Sequence, residues 1–302
     1  MAFGVLQTAT AADNPAVDGQ ETQITTNTAT QDYPAIYGDK IVWEDQRYGN
    51  EDIFMKDLTT NVETRLTTNT ATQNEPAIYG NRVVWTDYRY GNWDIFMKDI
   101  STNVETRLTT NSANQFSPAI YGNRVVWEDY RYGNCDIFMK DLSTNVETRL
   151  TTNSAQQAGP AIYGNRVVWT DMRYIHFDIF MKDLVTNIET RLTTNTADQY
   201  SPSIYGDKII WMDERNVNTD IFMMDLVTNQ VTYITLNSAT QGAAAIYGNR
   251  IVWDDNRNGN KDIYMKSLEV PLTSNTAGQY NPVIMVTGLS GQMRDMVIRI
   301  FS

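Results

Sequence analysis

PAIYGDKIVWEDQRYGNEDIFMKDLTTNVETRLTTN, residues 34–69, holds four short runs rich in β-branched and aromatic residues, and each pair is parted by a turn signal. Pro34-Ala35-Ile36-Tyr37 is extended, and Gly38-Asp39 supplies the two-residue turn of a tight hairpin. Lys40-Ile41-Val42-Trp43-Glu44 is a strand with apolar side chains on both faces, as expected of a sheet packed between two neighbours. The polar Asp45–Asn50 turn leads to a third strand from Asp52, and Thr59-Thr60-Asn61 leads to a fourth, Val62–Leu66. Helical periodicity is absent throughout.

The same sentence returns every 42 residues. Trp43, Trp85, Trp127, Trp169, Trp211 and Trp253 mark it, and NVETRLTTN is identical at 61–69, 103–111 and 145–153. A period of this length means stacked copies of one unit that cannot bury its apolar face alone. Four antiparallel strands per copy, packed face to face, predict an all-β fold, a β-propeller. Copies begin near 34, 76, 118, 160, 202 and 244, with a further start near 282. The piece Glu21–Asn27 reads as a fourth strand without its partners, and the last copy lacks one. Pairing the two predicts seven blades, six complete repeats plus a seventh made from the C-terminal remnant and the N-terminal strand, within one domain over 20–302. Six blades is the alternative if the final copy does not form.

The pattern P-x-I-x-G-(D/N)-(K/R)-(I/V)-V-W-x-D-x-R-x-G-N-x-D-I-(F/Y)-M-x-D-L, followed by R-L-T, resembles the TolB-type propeller repeat. It is closer still to the tandem propeller repeats of archaeal (methanogen) cell-surface proteins. The resemblance covers residues 20–284 and implies a binding or surface scaffold outside the cell, extracellular or on the cell surface, and no particular reaction.

After Ile284 the repeat dissolves into MVTGLSGQMRDMVIRIFS, 285–302. One permitted back-translation of this stretch, with a single T restored after the first codon, reads IYGDRIVWADERYGNQDIF, the sentence of the other copies. We therefore expect residues 285–302 to be frame-shifted, which the coding DNA decides. Residues 1–19 form an N-terminal tail, and MAFGVLQTATAA at its start reads either as a secretory-signal remnant without its charged beginning or as a plain tail.

Composition narrows the partners. A formal charge of −12 with no basic stripe argues against nucleic acid, and no apolar run is long enough to span a bilayer as a helix. An acidic surface favours a monomer. The single cysteine, Cys135, forms no intrachain disulfide and occupies the variable slot of Glu51, Trp93, Phe177, Thr219 and Lys261, which suggests an exposed side chain.

Candidate chemistry is sparse. Asp-x-Arg-(four residues)-Asp recurs in six copies, first as Asp45, Arg47 and Asp52. Paired carboxylates can serve as acid and base or hold calcium, but an intervening Arg in every copy favours a clamp on the hairpin. The only histidine, His176, sits at a hairpin tip with no nucleophile beside it in sequence. No catalytic residue, cofactor site or metal site is therefore expected, and the chain reads as a non-enzyme. Variable positions are the better candidates for recognition. Gln31, Gln73, Gln115, Gln157, Gln199 and Gln241 recur in the connection between copies, with Phe116 and Tyr200 among the residues that follow them. Tyr48, Tyr90, Trp93, Tyr132 and Tyr174 belong to the hairpin tips. Together they predict a rim that binds a protein or glycan. Against this stands a structural reading in which the glutamines satisfy loop backbone and the tyrosines cover blade edges. The other functional expectation is a carbohydrate-directed enzyme or enzyme accessory with its site in the channel.

Overall fold

The computed structural model describes residues 21–216, 218–236 and 239–268. Over these residues the chain forms six four-stranded antiparallel sheets and no helix. Blade 1 contains Gln31–Tyr37, Lys40–Asp45, Asp52–Asp57 and Val62–Arg65, running outward from the channel in that order. Its central pair is in perfect register, Trp43 opposite Phe54 and Asp45 opposite Asp52. Five further blades repeat this arrangement, so the described residues form a β-propeller of six blades.

Ring closure differs from the expectation. Glu21–Gln23 pairs with Asp262–Ser267 and completes the sixth blade, whose own three strands begin at Gln241. The N-terminal strand therefore does not join a seventh blade. Ile24 N donates to Ile263 O at 2.7 Å, and Ile263 N to Thr25 Oγ1 at 2.8 Å. Blade 1 then packs directly on blade 6: Ile36, Ile41, Trp43 and Phe54 share one buried cluster with Val252, Ile263 and Ile24. The segment from Pro282 and the expected frame-shifted stretch lie outside the described residues.

The core lies between blades, which explains strands apolar on both faces. Ile41 and Trp43 face one neighbour, while Val42 and Ile53 face the other and pack on Val83, Trp85 and Phe96 of blade 2. All six repeat tryptophans are at most 1% exposed. Each aliphatic side chain so buried contributes roughly 1.5–3 kcal/mol, which no isolated blade could obtain.

The innermost strands line the channel. At one end Tyr37, Tyr79, Tyr121, Tyr163, Tyr205 and Tyr247 form a closed ring, each centroid 4.8–4.9 Å from the next. A seventh blade would have to break this circle. Behind the ring lies a cavity of about 200 Å³ walled by the Ala-Ile-Tyr segments, with Ser203 replacing one alanine. The opposite end, hereafter the upper mouth, is formed by Tyr33, Glu75, Ser117, Gly159, Ser201 and Ala243 with the residues that follow them.

Candidate functional site: the upper mouth of the channel

The hairpin between the second and third strands meets the connection into the next blade at the upper end. Gln73 N donates to Glu51 O at 2.9 Å, and Asn50 Nδ2 reaches the carbonyls of Asn69 and Ala71 at 3.2 Å. Both loops that carry variable residues therefore gather around the upper mouth, as their positions in the repeat predict.

Most of the repeated polar residues are occupied in building it. Asp45, fully buried, accepts from Trp43 Nε1 at 3.1 Å, Arg47 N at 3.0 Å and Arg47 Nε at 2.9 Å. Arg47 also lies over the Phe54 ring, 4.4 Å from its centroid. The second aspartate uses a different arginine. Asp52 takes Arg65 NH2 at 2.7 Å, and Arg65 covers Tyr48 at 4.4 Å. The expected clamp exists, but it is two clamps, one inside the hairpin and one from the outer strand. Burial still pushes the Asp52 carboxyl above its ordinary value, outweighing Arg65.

The predicted rim separates into three groups. Gln31, Gln73, Gln115, Gln157, Gln199 and Gln241 are fully buried, so they offer no surface to a partner. Gln31 Nε2 donates to Ala29 O two residues back, and Gln115 and Gln157 do the same at 2.6 Å. They brace the connection between blades, and the exposed-rim reading fails for them. Tyr48, Tyr90, Tyr132 and Tyr174 are 50–61% exposed, yet each stacks on the Phe of its own blade at 6.1–6.2 Å and carries an arginine on its face. That is edge covering. Tyr200 is held by its hydroxyl, which donates to Glu214 Oε1 at 2.8 Å.

Trp93 and Phe116 alone form part of a larger surface. Their centroids are 5.7 Å apart, and the cluster extends to Tyr88 at 4.9 Å from Trp93 and Tyr130 at 5.8 Å from Phe116. Tyr88 and Tyr130 are 45% and 38% exposed. This aromatic quartet spans blades 2 and 3; Phe177 and Tyr200 occupy the slots equivalent to Trp93 and Phe116, but Met172 and Glu214 stand there in place of the flanking tyrosines.

Beside it is a group of carboxylates that the sequence reading passed over. The residue before each proline is set in a β-bulge, with left-handed φ of 49° at Tyr33, 53° at Glu75 and 48° at Ser117. Bulging re-aims the side chain, here toward the mouth. Glu75 Oε2 accepts from Ser117 N at 2.7 Å and Thr86 Oγ1 at 3.1 Å, while Glu44 accepts from Glu75 N at 3.1 Å. Glu128 accepts from Gly159 N at 2.7 Å. Across the closure, Lys261 Nζ donates to Asp32 Oδ2 at 2.5 Å and lies 3.3 Å from Asp254 Oδ2. Asp254 is 1% exposed, and its carboxylate fills the space a side chain at Gly242 would take, since a Cβ there would lie 2.0 Å from Oδ2.

Burial dominates the electrostatics. It pushes Glu44 up to about 8 and Glu128 up to about 7, in each case with neighbouring carboxylates adding to the effect. Glu75 and Asp254 are raised for the same primary reason, Asp254 also through its contact with Asp32. The Tyr33 hydroxyl is raised by burial and by the surrounding carboxylates. Cys135, expected at the surface, is instead fully buried: its Sγ lies 3.6 Å from Glu128 Oε2, and burial pushes its thiol up. The other occupants of this slot, Glu51, Trp93, Phe177, Thr219 and Lys261, are only partly buried, so the small thiol alone is covered completely. His176 lies outside this cluster, 3.5 Å from Asp198. Among the described residues no three His, Cys, Asp or Glu side chains are arranged to hold a metal ion.

The fold has well-populated company. A putative TolB from Agrobacterium tumefaciens superposes with a TM-score of 0.62 at 15% identity, covering 82% of this chain and 93% of that one. TolB from Acinetobacter baumannii gives 0.60 at 18% identity, covering 77% of this chain and 65% of its own, so this chain spans about two thirds of that protein. Its structural neighbours are TolB-like propellers. Oligogalacturonate lyase in complex with manganese also matches, with a TM-score of 0.56 at 10% identity over 85% of this chain and 95% of the lyase. At these identities the likeness shows the fold alone. No family model and no curated protein matches the sequence.

Proposed function

We propose that this chain is a non-enzymatic binding module, acting as a scaffold that takes a ligand at the upper mouth. One observation carries the reading. The chemically distinctive residues that differ between blades concentrate around that mouth, whereas the repeated polar residues are spent on hairpin clamps, loop braces and the tyrosine ring. A surface whose identity changes from blade to blade on a constant frame is what recognition of an asymmetric partner requires.

The fold's company includes a lyase as well as TolB proteins, and a carbohydrate-directed activity is the competing reading. Favouring binding, the sole histidine pairs with Asp198 at a hairpin tip, and the mouth carboxylates accept hydrogen bonds from backbone amides of the neighbouring blade. A position at the cell exterior follows from the resemblance of the repeat to archaeal surface proteins. Among the described residues no helix is long and apolar enough to cross a membrane.

A peptide and glycan array probed with the whole chain, with and without calcium, tests the reading. Saturable binding without consumption of the bound compound is expected; turnover of any arrayed glycan would replace it with the enzymatic reading.

A further inference from the structure

We propose that the upper mouth binds a basic peptide, with one lysine side chain laid along the aromatic quartet and its ammonium held among the mouth carboxylates. The inference rests on the binding-module reading and names its ligand class.

Two independent features meet there. The first is the surface of Tyr88, Trp93, Phe116 and Tyr130, partly exposed and complete only between blades 2 and 3. Aromatic faces attract ammonium groups and cover the methylene stem that carries them. The second is a cluster of buried carboxyl groups, Glu44, Glu75, Glu128 and Asp254 with Asp32 beside them, which burial holds toward the protonated form and which an approaching cation would draw into ionisation. Glu75 lines the mouth, Tyr33 senses Glu75, Asp32, Glu44 and Asp254 together, and Glu128 is coupled to Glu75. Lys261 is the cation paired with this group, and it is engaged by Asp32 and Asp254 on the far side from the quartet.

The two features are joined through blade 3. Phe116 is the cross-strand partner of Glu128, and the amide of the next residue, Ser117, binds Glu75.

Ligand chemistry follows by elimination. A neutral glycan would use the aromatic faces but would not favour ionisation of the buried carboxyl groups, whereas an ammonium does. A bare divalent ion needs several oxygens converging on one point, and no such group occurs among the described residues. An alkylammonium uses both features at once. The chain's net charge of −12 adds long-range attraction for a basic segment.

Pentalysine titrated into the full chain tests this, read by tryptophan fluorescence and by calorimetry at low and near-physiological salt. Of the seven tryptophans, Trp93 alone is not fully buried, so its signal reports the site. Saturable binding is expected, weakened roughly tenfold by Trp93→Ala and by Glu75→Gln. Asp39→Asn, the same loss of charge at the opposite end, should leave it unchanged. Equal weakening by Asp39→Asn, or no weakening by the two mouth variants, would mean diffuse attraction to an acidic protein and would overturn the proposal. Equally tight binding of pentalysine acetylated at every side-chain Nε, or of chitohexaose at Trp93, would overturn the cationic ligand while leaving the binding module intact. Cleavage of either probe would instead remove the binding-module reading itself.

Discussion

The two ends of the channel are built by the same strands and obey different rules. At the lower end six identical tyrosines close a ring with one spacing throughout. At the upper end the equivalent strand starts present Tyr33, Glu75, Ser117, Gly159, Ser201 and Ala243, with no two adjacent blades alike. Only a few residues of strand separate constancy from variety. The lower ring counts the blades and locks them, so each member is defined by its neighbour. The upper mouth is relieved of that duty because the aspartate–arginine clamps and buried glutamines already fix its loops.

The largest break in this comparison comes from the frame itself. Deleting residues 1–27 removes the strand that completes blade 6 and leaves the Asp262–Ser267 edge open beside blade 1. Loss of the folded monomer is expected, seen as aggregation in size-exclusion chromatography. Asp87→Ala comes next. It strips partners from Arg89, from the buried indole of Trp85 and from the hairpin backbone, all at once. A loss of about 3–5 kcal/mol is expected from breaking a buried pair, measured by denaturant unfolding. If the same change at Asp87 cost no more than an exposed pair, the clamps would not be what frees the mouth to vary.

Fold and site were legible in the sequence to very different degrees. Period, strand order, hairpin turns and the two-sided apolar strands come directly from Lys40–Trp43 and its copies, because burial between blades demands the same residues each time. The blade count did not, since Glu21–Asn27 looks the same whether it completes a sixth blade or a seventh; only the packing of Ile24 with Ile263 and Trp43 separates them. Glu75 was missed for a local reason: alternation along a regular strand assigns faces by parity, and the bulge before Pro76 breaks it. Glu44, Glu128 and Asp254 lie on regular second strands, at a position the other blades fill with Thr86, Thr170 and Met212, so nothing in the repeat marks them as a group. Cys135 failed in the opposite direction, a small side chain buried at a slot whose other occupants are partly exposed. Trp93 and Phe116 were recoverable as the large aromatics at variable positions.

Acidity offers a finer cut between the two ends. Glu44 and Glu128 sit at about 8 and about 7 in the fold, above their ordinary carboxylate value of 4.5. The folded chain therefore holds more protons than the unfolded chain between those limits, and stability falls as pH rises from about 4.5 to about 8. The facing groups are Asp32, Glu51 and Glu75 for Glu44, and Glu75 and Cys135 for Glu128. Glu44→Gln with Glu128→Gln should flatten the fall, by on the order of 2–3 kcal/mol in the pH 5 to pH 8 difference. Thermal unfolding across that range measures it. An unchanged slope would place the pH dependence elsewhere and leave the mouth electrostatically silent.

The smallest effect is the most discriminating. Tyr90 and Trp93 lie in one hairpin of blade 2, and both are aromatic at its tip, but they belong to opposite sides of the comparison. Tyr90 stacks on Phe96 and carries Arg107, as its equivalents do in most blades. Trp93 joins the quartet. Tyr90→Ala should therefore cost stability, about 1 kcal/mol for an exposed cation–π stack, and leave pentalysine affinity alone. Trp93→Ala should do the reverse, lowering affinity with little change in unfolding. Measured on the same two proteins, unfolding and binding must move in opposite columns. Were both variants to move both quantities together, frame and mouth would be one cooperative unit, and the division of labour along the channel would have to be abandoned.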